Sequence, residues 1–257
     1  MYLYENRFEV RFAKTSAEVK RSQELRYKVF IEEMGGRPCQ RNSEPFLEKD
    51  EFDDQCRHLI LIDHKKTGKK VIQKIIGVIR LILGSETKLR LGFCSSKEYD
   101  LNLLVSSGKE CLELGRTCID KSYRNGLALH YLWKGIGSYT KENDVSFMFG
   151  LASFPGNDVR KISMALSFIN EKYLAPSEIR PKALKTGFID MAIVPKGEID
   201  KSAALRQMPS LLKGYLRLGA RVGEGAFIDR ELNTIDVCIV IDLDQMLDKY
   251  KDFYGKS

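Results

Sequence analysis

Between residues 111 and 139 the chain changes its hydrophobic period once, and that change constrains the fold more than any other feature of the sequence. CLELGRTCID (111–120) alternates apolar and polar side chains, as a half-buried strand does. Leu129, Leu132, Trp133, Ile136 and Tyr139 then recur at three- and four-residue spacing, which predicts a helix over 125–143. Arg124 and Gly126 lie at the junction. A helix N-terminus carries unpaired N–H groups and the positive end of the helix dipole, so such a junction can hold a phosphate or pyrophosphate. A glycine there lets backbone approach closely. Many strand–loop–helix junctions bind nothing, so by itself the stretch fixes architecture and leaves function open.

The flanking sequence supplies a sheet for this unit. RFEVRFAK (7–14) alternates like a strand, and Ser16 is a candidate helix cap with Glu18 in the first turn. Leu25, Val29 and Ile31 carry the apolar stripe, and Gly35-Gly36 stop the helix. Residues 35–55 are rich in Gly, Pro and charge and read as a long loop, a length that is often functional. RHLILID (57–63) and VIQKIIGVIRLIL (71–83) read as a hairpin, 146–154 as a buried strand and 158–173 as a helix. Beyond 173 the pattern predicts one or two helices over 203–219, with Pro209 in a first turn and Gly219 as C-cap. Two strands around Asn233 and a terminal helix over 244–253 complete it. With no linker in view, 1–257 is expected to form a single α/β (α+β) domain. A mixed central sheet flanked by helices forms its core (1–173), and 174–257 is a C-terminal elaboration.

Composition narrows the class. Hydrophobic residues are 43% and charged residues 30%, which is enough apolar matter for a packed core and excludes whole-chain disorder. The strongly apolar run 75–83 is interrupted by Arg80 and is too short to span a bilayer. MYLYENRFEV has no basic region followed by an apolar core, so no secretory leader is expected. Cys39, Cys56, Cys94, Cys111, Cys118 and Cys238 form no C-x-x-C pair, so reduced thiols are expected and neither a disulfide framework nor a zinc site is. The net charge of +7 favours an acidic partner, whether anionic lipid, an acidic carrier protein or nucleic acid, without choosing among them. No nucleic-acid-binding module is recognisable.

The order of elements resembles the GNAT-type acyltransferase fold, whose strand–loop–helix junction cradles the phosphates of coenzyme A. The usual pattern there is R/Q-x-x-G-x-G/A. Here Arg124-Asn125-Gly126-Leu127-Ala128 puts the basic residue one place closer to the glycine. That departs from a coenzyme A pyrophosphate site and remains compatible with a donor carrying phosphopantetheine alone. Arg26, Phe30, Asp50, Phe52-Asp53, His58, Gly77, Arg80-Leu81 and Glu113-Leu114-Gly115-Arg116 resemble the branch that uses acyl carrier protein. That branch holds the acyl-homoserine-lactone synthases and the ornithine N-acyltransferases of ornithine-lipid synthesis. LLKGYLRLGA (211–220), GAFID (225–229), TIDV (234–237), LWKGI (132–136) and ASFPG (152–156) are similar to the ornithine-lipid family, and the lactone synthases lack such a tail.

The resemblance implies an N-acyl transfer. A 3-hydroxyacyl chain, held as a thioester on the 4′-phosphopantetheine of acyl carrier protein, would pass to the α-amine of ornithine and give lyso-ornithine lipid. No metal or redox cofactor is implied. The implied partners are acyl carrier protein, ornithine and, peripherally, the anionic inner face of the cytoplasmic membrane; the implied location is cytoplasmic. An attacking amine must be neutral, so a carboxylate or ordered water beside it has to take a proton. Glu113 is the first candidate, with a buried ion pair to Arg116 or Arg80 as its alternative role. A bulge in its strand would offer backbone N–H to the thioester carbonyl.

Asp50 and Asp53 are candidates for the acceptor's amines, and Arg26, Arg80 and Arg116 for its carboxylate, since a guanidinium fork suits carboxylates. The same residues equally suit an Arg–Asp network that orders the loop. Arg124, Gly126 and Ser153 are the candidates for the phosphopantetheine arm, and Ser153 equally suits an ordinary strand end. A lone His58 is more often a core hydrogen-bonder than a base. Lys213 and Arg217 lie four apart on the tail helix, which fits either a membrane or carrier-docking face or plain core packing. The rival readings are an acyl-carrier-dependent synthase of another N-acyl amino acid or of a signalling lactone, and a non-catalytic carrier- or lipid-binding protein.

Overall fold

The structure, a computed structural model, describes residues 2–5, 7–37, 44–68, 70–87, 91–124 and 126–246. The strands are β1 (Tyr2–Glu5), β2 (Phe8–Phe12), β3 (Arg57–Asp63), β4 (Ile75–Leu83), β5 (Tyr99–Asp100), β6 (Cys111–Ile119), β7 (Phe147–Pro155), β8 (Lys182–Ala183), β9 (Phe188–Ile189), β10 (Arg221–Val222), β11 (Ala226–Asp229) and β12 (Thr234–Asp242). The helices are α1 (Ser16–Arg26), α2 (Gly84–Thr87), α3 (Asn102–Val105), α4 (Leu127–Glu142), α5 (Ser163–Tyr173), α6 (Lys201–Gln207) and α7 (Ser210–Arg217). The main sheet runs β1-β2-β3-β4-β6-β7-β12-β11-β9, with β10 also on β12, and β5 pairs with β8 apart from it. Among the described strands, β6 and β7 form the one parallel pair.

The two faces of the sheet follow from alternation. Leu59 and Leu61, Leu81 and Leu83, Leu112 and Leu114 point to one face, where α4 covers them with Leu132, Trp133, Ile136 and Tyr139. Burying each such side chain contributes about 1.5–3 kcal/mol, so the stripe read from the sequence is what holds α4 down. Helices α5, α6 and α7 extend the same layer. On the opposite face α1 contributes Leu25, which packs with Val29 against Ile60, Ile62 and Val78. Phe93, Tyr99, Leu101 and Leu104 cover the β6–β7–β12 part of that face.

Several expectations shift. Thr15, not Ser16, caps α1 and accepts from the Glu18 N–H at 3.2 Å. The helix continues past Arg26 as a π-helix, Tyr27–Glu33, with Gly35 just beyond at φ +77°. Pro209 stands at the N-cap of α7 rather than in its first turn, and Leu218 takes the C-cap with Gly219 following at φ +99°. Residues 243–246 form a bend, and the rest of the expected terminal helix lies outside the described residues, as do Cys39 and Asn125. On α7, Leu212 and Tyr215 are buried, with Tyr215 edge-on to Trp133, so its apolar face is in the core.

Candidate active site

The site begins where the parallel pair ends. β6 and β7 are paired only from Cys111↔Phe147 to Leu114↔Gly150, after which both strands run on unpaired to each other. Gly150 permits that last pair: a Cβ there would stand 2.1 Å from the Leu114 carbonyl oxygen. One residue further, β6 bulges. Opposite β4, the register jumps from Val78↔Cys118 to Arg80↔Gly115, leaving Arg116 and Thr117 against a single residue. Arg116 sits at φ +49°, in the left-handed region. A bulge frees backbone N–H and re-aims side chains. Beside it, the buried Tyr215 hydroxyl bonds to Thr117, and burial raises its pKa to about 12, so it is a phenol at neutral pH.

Cross-strand partners share a face, so the registers Ile82↔Glu113↔Phe149↔Val240 mark one row on the side opposite α4. His58 and Arg80, Ser153, Asp236 and Asp229 lie on that face by the same alternation. The sequence candidates Arg26, Asp50, Asp53, Arg80 and Arg116 come together here. Arg26, fully buried, donates from Nη1 and Nη2 to the two Asp53 carboxylate oxygens at 2.6 and 2.9 Å and from Nε to Glu48. Arg80 donates to Asp50 at 2.6 Å and to the Cys94 sulfur at 2.9 Å. Arg116, its side chain 24% exposed, donates to Glu48 at 2.9 Å and Asp50 at 3.2 Å.

Three guanidinium groups and three carboxylates therefore neutralise one another. For Glu48, Asp50 and Asp53, burial works against the charge, but the arginines prevail and hold all three below the usual carboxylate range. Glu48, only 6% exposed and shared by two arginines, escapes a sequence reading because nothing in the loop sequence marks it apart from its acidic neighbours. His58 is buried, which lowers its pKa, and its Nε2 donates to the Asp53 carbonyl at 3.1 Å. It orders the loop as a neutral ring.

Glu113 lies on this face at 2% exposure. Its carboxylate is held by the turn Cys94–Lys97, accepting from the Cys94 N–H at 2.8 Å, the Ser95 N–H at 2.7 Å and the Ser95 hydroxyl. Burial raises its pKa despite those donors. A carboxylate oriented by fixed N–H groups, yet pushed toward neutral pH, has the properties of a general base. Ser95 and the turn that carries it give no periodic signal in the sequence.

The same turn leads into a second acidic group. Carboxylate oxygens of Glu98, Asp229 and Asp236 all lie within 4.8 Å of one another. Asp236 is 2% exposed and accepts from the Thr234 hydroxyl at 3.2 Å and from the Ser153 hydroxyl. Ser153 is thereby a partner of this group. Arg124 and Gly126 stand apart from it. Arg124 donates to the Ile119 carbonyl at 2.9 Å and pairs with Glu33 at 2.7 Å. Gly126, at φ +93°, precedes the first turn of α4.

A helix-flanked sheet that parts at its parallel pair, with a bulge at the parting and an amino-terminal helix end beyond it, defines a GNAT-type acyltransferase. Residues 25–134 match the family described as acetyltransferase (GNAT) domain. The solved N-acyl amino acid synthase FeeM, from uncultured soil microbes, superposes with a TM-score of 0.54 at 10% identity, covering 93% of this chain and 92% of that one. The acyl-homoserine-lactone synthase LasI superposes with a TM-score of 0.52 at 13% identity, covering 93% and 91%. The chain is 41% identical over 250 residues to the L-ornithine N(alpha)-acyltransferase of Rhodobacter capsulatus, across 97% of this chain and 95% of the relative. It is 36% identical to that of Brucella abortus, across 96% and 88%. It belongs to the L-ornithine N(alpha)-acyltransferase family and is an acyltransferase. Among the described residues no helix is long and apolar enough to cross a membrane.

Proposed function

We propose that the chain moves a 3-hydroxyacyl group from the 4′-phosphopantetheine thioester of acyl carrier protein to the α-amine of ornithine, giving lyso-ornithine lipid. The observation that carries this reading is the parting of β6 and β7 one residue pair beyond the row that holds Glu113. A slot between unpaired strands suits a pantetheine arm, whose amides can bond to the freed strand edges. Ser153 and the first turn of α4 beyond Gly126 are its flanking polar groups. With Arg124 turned to Glu33, the junction suits one phosphate better than a pyrophosphate.

In the reaction Glu113, directly or through one water, takes a proton from the α-ammonium. The neutral amine attacks the thioester carbonyl, with backbone N–H at the Arg116–Thr117 bulge facing the developing oxyanion. The C–N bond forms and the C–S bond breaks. The second proton that the nitrogen sheds as it becomes an amide is the one the leaving thiolate takes up. The nearby Tyr215 hydroxyl can relay it, giving its proton to sulfur as it receives the one from nitrogen. The partly exposed Arg116 is the candidate for the acceptor carboxylate.

The family names of the sequence relatives support ornithine as acceptor. The net charge of +7 supports an acidic carrier and peripheral contact with the inner face of the cytoplasmic membrane. Incubating purified protein with 3-hydroxyacyl carrier protein, or with the matching coenzyme A thioester, and a panel of amino acids tests this by mass spectrometry of the lipid extract. Acylation of ornithine from the carrier is expected. Acylation from coenzyme A alone would overturn the donor, and acylation of no amino acid would overturn the reaction.

A further inference from the structure

The six-group network consumes the acidic residues that the sequence suggests for the acceptor's amines. Asp50 and Asp53 are each engaged by arginine, and Glu48 by two. No carboxylate of that network is left to meet a further cation. The acceptor ornithine brings two amines, one of which reacts while the other stays an ammonium.

Glu98, Asp229 and Asp236 lie on the same face and, among the described residues, form no salt bridge with an arginine. They come from three places: Glu98 from the end of the turn that holds Glu113, Asp229 from β11, and Asp236 from β12 opposite Ser153, on the part of β7 that lies beyond its pairing with β6. Glu98 Oε2 and Asp236 Oδ1 are buried and accept from no N–H or hydroxyl group; the two carboxyl groups meet each other, in a contact that needs a shared proton. Burial, then the neighbouring carboxylates, raises Glu98, and burial, then Asp229, raises Asp236 to about 6. Two orphaned buried oxygens facing one another call for a proton or a cation between them. Glu98 and Asp229 are partly exposed, so the group is reachable from outside.

We infer that Glu98, Asp229 and Asp236 form the pocket for the acceptor's side-chain ammonium and so select ornithine over uncharged amino acids of the same length. An ammonium directs its three N–H bonds tetrahedrally, and acceptors at charge-assisted distance along them stand ~4.6 Å apart. The three carboxylate oxygens lie within 4.8 Å of one another, near enough for one ammonium to meet all three once it replaces the proton shared by Glu98 and Asp236. The inference rests on the ornithine reading above and adds the residues that recognise the side chain. A site built to bond a substrate's polar group rejects the analogue lacking it strongly, because its own buried groups are then left unpaired. Asp236 and Asp229 belong to the TIDV and GAFID segments, two of the stretches that resemble the ornithine-lipid family.

The test compares ornithine with norvaline, which is ornithine without its side-chain amine, as acceptors for wild type, Asp229→Asn and Asp236→Asn. Thermal melting checks that each variant is folded. Wild type is expected to acylate ornithine and reject norvaline. Each substitution is expected to raise the KM for ornithine and reduce the ornithine-over-norvaline preference in kcat/KM by roughly 10- to 100-fold. A merely structural role would lower both acceptors alike and leave the preference standing, which would overturn the inference. So would wild-type activity that is abolished by EDTA and restored by a divalent cation, the result expected of a metal site. Wild type that acylates norvaline as readily as ornithine overturns the pocket and spares the acyl transfer; wild type that acylates neither overturns both. Because Asp236 is deeply buried, Asp229→Asn decides the outcome if Asp236→Asn does not fold.

Discussion

At the scale of single residues, the site face separates charges that are matched from charges that are not. Arg26 lies at 0% exposure between Glu48 and Asp53. Removing it leaves two buried carboxylates without a cation, and breaking such a pair costs about 3–5 kcal/mol. Arg26→Ala should therefore lower the unfolding free energy by that amount in urea titration, far more than the exposed Arg160→Ala. Asp236 is the opposite case. Its folded pKa of about 6 lies above its ordinary 3.8, so the folded chain holds a proton that the unfolded chain releases between those values. Its contribution to stability is present below that window and lost as pH rises through it. Asp236→Asn should thus melt higher than wild type above about pH 6 and show a flatter melting profile across the window, read by calorimetry. The residue candidates legible in the sequence are those with arginine or aspartate in the charged loop and its neighbouring strands. Glu48, Ser95 and Glu98 are not, because each owes its environment to a chain segment far from it in sequence.

At the scale of elements, one glycine and one bulge shape the opening. Gly150 lets β7 pair once more with β6 before the strands part, and a Cβ there meets backbone, which cannot yield as a side chain can. Gly150→Ala is expected to shift or shorten the β6–β7 ladder. Hydrogen exchange should report it as lost protection at the 111–114 and 147–150 amides, and acyl transfer should fall with it. The strands β3, β4, β6 and β7 and helix α4 are readable because alternation and the three–four stripe are local properties. The bulge is expected from the family resemblance, and the strand registers show the parting. Composition does not show them: Arg116, not a glycine, takes the left-handed position. β1, β5, β8, β9 and β10 escape a sequence reading because strands of two to four residues carry too little pattern.

At the scale of the whole molecule, the reaction face and the packing face are divided by the sheet. Helices α4 to α7 secure one side with apolar contacts, while the other carries nearly all the buried ionisable groups. The pairing of β12 with β7 ties the C-terminal part into the main sheet and brings Asp236 to the site face. Glu48, Asp50 and Asp53 titrate below their unfolded values, so their contribution is full above the ordinary carboxylate range of ~4. It is lost as pH falls through their folded values, and melting should fall steeply on acidification below that range. The net charge of +7 predicts binding to anionic vesicles that weakens with salt; protein left at the bottom of a flotation gradient would remove membrane contact from the proposed function.

The proposed reaction stands on Glu113 receiving the proton of the attacking amine. Single-turnover acyl transfer from 3-hydroxyacyl carrier protein to ornithine measures it, comparing wild type with a folded Glu113→Gln that still binds the acyl carrier. A rate lower by roughly 10²–10⁴-fold is expected for Glu113→Gln. Equal rates for the two would show that the proton goes elsewhere.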